Sequence, residues 1–521
     1  MKKKSNKKQH KGMNRREFIS TNMALAALTV IPNHVFAAKS KGLIPPSDRI
    51  TMLHIAGGTE SLFELKALLR APGIEIIGVA DPNRESYDYI HWSANGLRDG
   101  LRKLIDEPTW KEGKKGIPGG RDVFKEVVET YYRKNRPGYK GSLAAAEDYR
   151  ELLDKMPDVD SVKIMSPDHL HAYQALDCLK RGKHIIMHKP LGNKMTEAMK
   201  VVDASRASNL STYLMPYNAF GDGNMNQVKA WIEAGAIGNL KEIHSWTNRP
   251  VWPQYPTIPT DTPPIPEGFN WDLWLGPAEM RDYHPQYTHA TFRGWYEFGA
   301  GAIADMGYYG LWPVFDALGL DSATSVTTRF SRVVQINNRD GSFVPSTIVN
   351  NYSYPMAAAY RFQVPYKDGS GKIIFQWHDG GMKPQVPEDY EGDDLPIEGM
   401  MFVGDQGTIL TGFRRENPVI LGTRATAYKD IKASPIIHPT TPLADGTEQW
   451  VQQWIDGCKG KGKGPGSFEF AKEINETFNL GSISLMRNGR KLEYDPKTRS
   501  ITNDEEGNNL LTRTVRKGWE M

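Results

Sequence analysis

Residues 159–165 (Val-Asp-Ser-Val-Lys-Ile-Met) and 184–187 (His-Ile-Ile-Met) are short runs rich in β-branched and apolar side chains. Between them, Ala172, Ala175, Leu176 and Leu179 recur at helical spacing within residues 171–181, and Gly182 supplies a stop. A strand, a helix and a second strand at this separation form a β-α-β crossover with parallel strands. In an open parallel sheet the ligand crevice lies at the carboxyl ends of the strands. Polar residues gather at both ends here, as Ser166-Pro-Asp-His-Leu-His171 after the first strand and His188-Lys189-Pro190 after the second.

The upstream chain repeats the pattern. Residues 49–56 read as a strand, 63–70 as a helix and 74–81 as a second strand, the opening of a doubly wound dinucleotide fold. A charged, Gly/Lys-rich helical insertion follows at about residues 89–149, with no function legible in it. A strand at residues 211–215 ends the first domain. Beyond it the rhythm changes to a helix at 228–235 and alternating strands at 240–246, 325–332, 358–364, 373–377 and 401–410, with a turn at Gly404-Asp-Gln-Gly407. Two late helices, 448–458 and 468–486, complete the chain. The expected architecture is an α/β Rossmann dinucleotide-binding domain (residues 49–216) plus an α+β domain (217–521) with a large, open, mostly antiparallel sheet.

The net charge of +4 over 521 residues is misleading, because residues 1–37 alone carry +7 and leave about −3 for the rest. A nucleic-acid binder is not indicated. The leader itself combines Arg15-Arg16, an apolar run over residues 23–31 and a small-residue site at Val35-Phe-Ala37, as a twin-arginine export signal does. The apolar run is too short for a permanent span, and no cysteine follows it for a lipid anchor. Residues 38–48 form a linker. A folded, exported, periplasmic protein is expected. Its two cysteines, Cys178 and Cys458, make no disulfide framework.

Where a G-x-G-x-x-G turn is expected, the chain has Ala56-Gly57-Gly58-Thr59-Glu60-Ser61. Gly58 stands at the position where the backbone approaches a pyrophosphate, Gly57 and Thr59 flank it, and a helix amino terminus supplies amides. A plain Gly-Gly turn would give the same run. Asp81, at the end of the second strand, is placed to accept from a ribose 2′-hydroxyl and to repel a 2′-phosphate. NAD is therefore favoured, with NADP the lesser alternative because Arg84 is close by.

These residues resemble the glucose–fructose oxidoreductase/inositol dehydrogenase (Gfo/Idh/MocA) family, in its exported twin-arginine branch. The resemblance is carried by Ala80-Asp81-Pro82, the 166–171 and 189–190 segments, Trp271-Asp-Leu-Trp-Leu-Gly-Pro277, Arg293-Gly-Trp295, Gly299-Ala-Gly-Ala-Ile-Ala-Asp305-Met-Gly307 and Arg516-Lys-Gly-Trp-Glu520. It implies a nicotinamide cofactor in the first domain, a sugar or cyclitol against the second, and a homo-oligomer formed through the second sheet. It also implies Glu-Lys-Pro and Asp-x-Gly-x-His catalytic motifs. Lys189, Pro190, Asp305 and Gly307 match them, whereas His188 replaces the glutamate and Tyr309 the histidine.

Chemically, Lys189 with Tyr309, its phenol pKa depressed, suffices as an acid–base pair, and His188 is the alternative base. Asp305 binds a substrate hydroxyl or orients the base. Ser166, Asp168, His169 and His171 lie on the loop where the family binds cofactor, although a core role fits either histidine equally well. Asn218 matches a cofactor-contacting position. Arg249, Trp252 and Arg293 are expected as substrate walls, joined by His378-Asp379 at another strand end. Of Trp246, Trp252, Trp271, Trp274, Trp295 and Tyr296, about four belong to the core by ordinary aromatic behaviour. The spacing of Asp282, His284 and His289 does not make a metal site. Because a dissociable cofactor cannot be recycled outside the cytoplasm, NAD should be tightly retained. The leading expectation is a sugar oxidoreductase. A redox-neutral NAD-retaining glycosidase or lyase and a silent sugar-binding scaffold are the alternatives.

Overall fold

The computed structural model describes residues 44–521 apart from 92, 216–222, 251, 253, 254, 256, 333, 340, 341, 348, 349 and 435–445. The expected export leader, most of the expected linker and Asn218 lie outside the described residues. Among the described residues, no helix is long and apolar enough to cross a membrane.

Six parallel strands form the first sheet: β1 (Ile50–Ile55), β2 (Ile74–Ala80), β3 (Ala144–Ala146), β4 (Ser161–Ile164), β5 (His184–His188) and β6 (Thr212–Met215). Their order is β3-β2-β1-β4-β5-β6, so the chain reverses direction across the sheet between β1 and β4. That reversal opens a crevice at the carboxyl ends of the two strands. Strands β4 and β6 are buried at every position because helices cover both faces of the sheet. Helix α1 (Thr59–Arg70) follows β1 and helix α2 (Asp168–Lys180) joins β4 to β5. Helix α1 begins four residues earlier than the apolar periodicity indicates. Its first turn, Thr59-Glu-Ser, is polar and gives no hydrophobic signal.

The region expected to be a helical insertion contains helices Ala94–Ile105 and Arg121–Asn135, but it also supplies edge strand β3. Only three alanines make that strand, too few to show a period. Its pairing with Gly78–Ala80 of β2 is a tertiary event.

The second sheet has nine strands in the order β15-β14-β13-β7-β12-β11-β8-β16-β17. They are β7 (Leu240–Trp246), β8 (Ser325–Phe330), β11 (Ala358–Pro365), β12 (Lys372–His378), β13 (Gly399–Gly404), β14 (Thr408–Thr411), β15 (Val419–Ile420), β16 (Leu492–Asp495) and β17 (Ser500–Ile501). All neighbours are antiparallel except β7 with β12. A separate hairpin pairs β9 (Val334–Arg339) with β10 (Ser342–Thr347). Strands β11 and β12 alternate buried and less buried residues, as a sheet covered on one face must. Helices α3 (Gly301–Leu318) and α4 (Lys472–Met486) cover it: Phe315 of α3 meets Phe375 edge-on at 6.2 Å, and Gly481 of α4 sits against Tyr360 and Phe362. The two helices also approach each other closely. A Cβ on Gly307 would lie 2.5 Å from the Phe478 ring, so this glycine is a packing requirement.

Candidate active site

The glycine-poor turn between β1 and α1 keeps the shape its sequence only half advertises. Ala56 stands where the first glycine is expected and takes a left-handed φ of 75°. The Ser61 hydroxyl donates to the Ala56 carbonyl at 2.9 Å, fixing the turn from the third glycine position. Gly57 is needed for contact with the insertion, since its Cβ would lie 2.8 Å from the Gly120 carbonyl oxygen. Gly58 caps α1 with no side-chain hydrogen bond to the first-turn amides. A helix of this length with an uncapped start presents unsatisfied N–H groups and the positive end of its dipole, the features that hold a phosphate.

Asp81 is buried and accepts from the backbone N–H of Gly57 (2.6 Å) and of Asn83 (2.7 Å). Burial raises its pKa, and these two bonds oppose the rise. Arg84 is held away in an exposed pair with Glu267. A cavity of about 490 Å³ takes in both this turn and Lys189, and Asp81, Tyr149, Ser166, Trp519, Arg293, Asp305 and Tyr309 line it too. Open amides, a carboxylate at the end of β2 and a cavity shared with Lys189 fit a dinucleotide.

Part of the cavity wall comes from the segment in which no function was legible. The Tyr89 ring lies against Gly58, and the Thr59 hydroxyl donates to the Ile90 carbonyl at 3.0 Å. His289 packs on Tyr89 at a tilt, with ring centres 4.1 Å apart, and pairs with Asp88 at 3.2 Å. Residues 88–90 therefore form a strap across the glycine turn, held by a histidine.

At the carboxyl end of β5, Lys189 is buried with its Nζ bonded to Asp305 Oδ1. Arg293 Nε stands 3.3 Å from the same oxygen. Burial raises the pKa of Asp305, but the charges of Lys189 and Arg293 outweigh it and hold the carboxyl below its ordinary range. Lys189 and Arg414 both lie over the Tyr309 ring, at 5.2 Å each. The expected depression of the Tyr309 pKa is corrected here. Burial, with Glu60 and Asp305 adding repulsion, drives it well above 10, so the phenol stays protonated. His188 also differs from a poised base. Burial first, then the Lys189 charge, lowers its pKa well below 6.5, and its Nε2 faces Glu64 at 3.5 Å.

Sequence reasoning passed over Glu60 and Glu64, one turn apart on α1. Their carboxylates and the His188 ring lie within 4.8 Å of one another. Lys163, fully buried in β4, donates to Glu64 at 2.8 Å. Glu60 lines the cavity, and burial together with the Glu64 charge raises its pKa to about 7. A signal existed: a lysine in the middle of an otherwise buried strand requires a partner carboxylate.

The remaining expected residues divide. Gly58, Thr59, Ser166, Trp252 and Arg293 line the cavity. Asp168, His169 and His171 stand behind its wall. Asp168 accepts from the Ala300 N–H at 3.1 Å. His169 is packed between Trp274 and Phe298, with its pKa lowered to about 3 by burial. His171 sits between the carbonyls of Pro190 (2.6 Å) and Ser166 (2.7 Å) and so braces the Lys189 loop. Arg249 is not in the lining, although its charge is felt by Asp305. His378 and Asp379 do not wall the cavity as expected. His378 stacks on His244, and Asp379 accepts from the Ala358 N–H and Trp377 Nε1, binding strand ends together. Of the six aromatics singled out, Trp252 and Trp274 line the cavity, and the other four lie in the core. His284 and His289 pair separately with Asp261 and Asp88, so they do not form a common centre with Asp282.

Fold and site together define a two-domain protein with a dinucleotide crevice facing a second sheet. Residues 134–214 match the family model described as the Gfo/Idh/MocA oxidoreductase family, NAD-binding Rossmann fold, and residues 225–352 match that family's C-terminal alpha/beta domain. The chain belongs to the Gfo/Idh/MocA oxidoreductase family, and its first domain is the family's NAD-binding domain. It is similar to a levoglucosan dehydrogenase of Pseudarthrobacter phenanthrenivorans (34% identity over 105 residues, 20% of this chain and 26% of the relative). It is also similar to an inositol 2-dehydrogenase of Gluconacetobacter diazotrophicus (24% over 163 residues, 31% and 48%). A glycosyl hydrolase family 109 protein of Shewanella sp. strain ANA-3 shares 30% over 120 residues, 23% of this chain and 25% of the relative. The chain thus aligns with less than half the length of each of these relatives.

Proposed function

We propose that this protein is an NAD-dependent oxidoreductase acting on a hydroxyl of a sugar or glycoside. The observation that carries this reading is the cavity that places the dinucleotide turn and the buried Lys189–Asp305–Arg293 cluster in one space. When bound, NAD accepts or returns the hydride of the reacting carbon. Lys189 donates a hydrogen bond to the reacting oxygen and stabilises negative charge developing there. Asp305 holds the lysine, and Arg293 keeps that carboxylate ionised. Tyr309, as a neutral phenol, donates a second hydrogen bond to the same oxygen. Trp252 offers an apolar face to the carbohydrate ring.

Tight retention of NAD is part of the proposal. It is supported by the strap of residues 88–90, and it suits export through the twin-arginine leader into a compartment without free NAD. A second reading, redox-neutral cleavage of a glycoside through a transient keto sugar, is favoured by the tyrosine in the family's histidine position, which keeps a protonated acid near the reacting carbons. Assembly as a homo-oligomer through the second sheet belongs to the same reading.

Purified protein should carry bound nicotinamide, released by denaturation and measured by its absorbance. Glycosides should then reduce it, or be cleaved with no net reduction under the second reading. Lys189→Ala should abolish turnover, and Tyr309→Phe should lower it by about 100-fold, the usual cost of a lost hydrogen-bond donor to a developing oxyanion. Wild-type turnover by Lys189→Ala would overturn the assignment. Protein that neither contains nor binds NAD would leave only a carbohydrate-binding scaffold.

A further inference from the structure

Oxidising a hydroxyl needs an acceptor for its proton, and the side chains expected to provide one do not. Tyr309 is held as a phenol, His188 is held neutral by burial, and Asp305 is committed to Lys189 and Arg293. One further ionisable group stands on the cavity wall near them. Glu60, in the first turn of α1, lines the same cavity as Lys189, Arg293, Asp305 and Tyr309, and it interacts electrostatically with all four.

We propose that Glu60 is the general base of the reaction, taking the substrate hydroxyl proton in oxidation and returning it in reduction. This inference rests on the oxidoreductase reading above. In the oxidising direction the O–H bond breaks and its proton passes to a Glu60 carboxylate oxygen. The C–H bond breaks with its electron pair, the hydride leaves to the dinucleotide, and the carbon becomes a carbonyl. The substrate is oxidised, NAD is reduced and Glu60 ends protonated, so atoms and charge balance.

Burial first, and then the groups behind Glu60, give it this property. Glu64, one turn along α1, is anchored by the buried Lys163 and presents its other oxygen toward the cluster. A second carboxylate crowded beside an ionised one resists losing its proton. Lys189, at the end of β5, and Arg293, in the turn before α3, pull the other way, while Asp305 on α3 adds to the resistance. His188, uncharged, completes the surroundings. The balance leaves Glu60 able to exchange a proton near neutrality, where general bases work best.

The test is Glu60→Gln, studied alongside wild type and Glu60→Asp. Wild-type kcat/KM for oxidation should rise with pH through an inflection near 7. Glu60→Gln should lose that inflection and fall by about 100-fold, keep or raise its thermal unfolding midpoint, and bind NADH as judged by fluorescence. Glu60→Asp should restore part of the rate and the inflection. Independently of turnover, the infrared band of a protonated carboxyl titrating near 7 should vanish in Glu60→Gln. Asp379→Asn is the control, because Asp379 titrates in the same range. An unchanged rate and pH profile in Glu60→Gln, with active wild type, would overturn the proposal and leave the oxidoreductase reading intact. Turnover that requires an added divalent cation and is stopped by a chelator would also overturn it, assigning Glu60, Glu64 and His188 to a metal. Wild-type protein that loads NAD but transforms no carbohydrate would overturn both.

Discussion

At the scale of single residues, the site departs from ordinary chemistry where charges are taken out of water. Lys163 and Glu64 are buried as a pair, and removing one partner of such a pair leaves an uncompensated charge. Ala56 shows a different cost. Its left-handed φ is disfavoured for a residue with a Cβ by about 1–2 kcal/mol, whereas glycine adopts it freely. Glycine also loses more chain entropy on folding, which offsets about 0.4–1 kcal/mol of the relief. Ala56→Gly should therefore stabilise the protein by up to about 1 kcal/mol in chemical denaturation, with NADH binding retained. A clear loss of stability would show that the Ala56 side chain contributes more by packing than its backbone costs.

At the scale of elements, strand ends are fixed by buried polar side chains. Asp379 is the clearest case, since it accepts from Ala358 at the start of β11 and from Trp377 on β12. Burial raises its pKa from 3.8 to about 7, against the lowering effect of those two bonds. A carboxyl whose folded pKa is raised contributes stability that is fully present below its unfolded value and is lost as pH rises through the folded one. Between about pH 4 and 7, Asp379→Asn should therefore gain stability relative to wild type, by on the order of a few kcal/mol at the upper end. Unfolding midpoints measured across that range check this, and a pH-independent difference would refute it. The sequence placed His378-Asp379 correctly at a strand end and misjudged what that end faces. Strand position follows from local alternation, whereas the occupant of the space beyond depends on which strand pairs alongside. The same limit explains β3, which three alanines form because β2 offers an unpaired edge.

At the scale of the whole molecule, residues distant in sequence close one cavity. Trp519, near the end of the chain, lines it with the Arg150 guanidinium 4.5 Å over its ring, and Arg516 anchors the segment through the Gly276 carbonyl and Asp272. Trp519→Ala should weaken NADH binding by roughly tenfold, the equivalent of about 1.4 kcal/mol from a lost aromatic wall. A fluorescence titration measures this, and unchanged affinity would place Trp519 outside the dinucleotide contact. The strap of residues 88–90 works at the same scale, because its histidine tie, His289, comes from a segment far along the chain.

By itself, the sequence determined the β-α-β crossover, the family, the lysine at the end of β5 and the carboxylate at the end of β2. These are local matters of hydrophobic period and of polar residues at strand ends, which a linear pattern records. Tertiary structure alone decided the protonation states and partners. Tyr309 stays a phenol and Glu60 titrates near 7 because burial and neighbouring charge set pKa values, and His169 and His171 brace the wall because their partners come from other elements. Both depend on residues tens to hundreds of positions apart, which no local pattern carries.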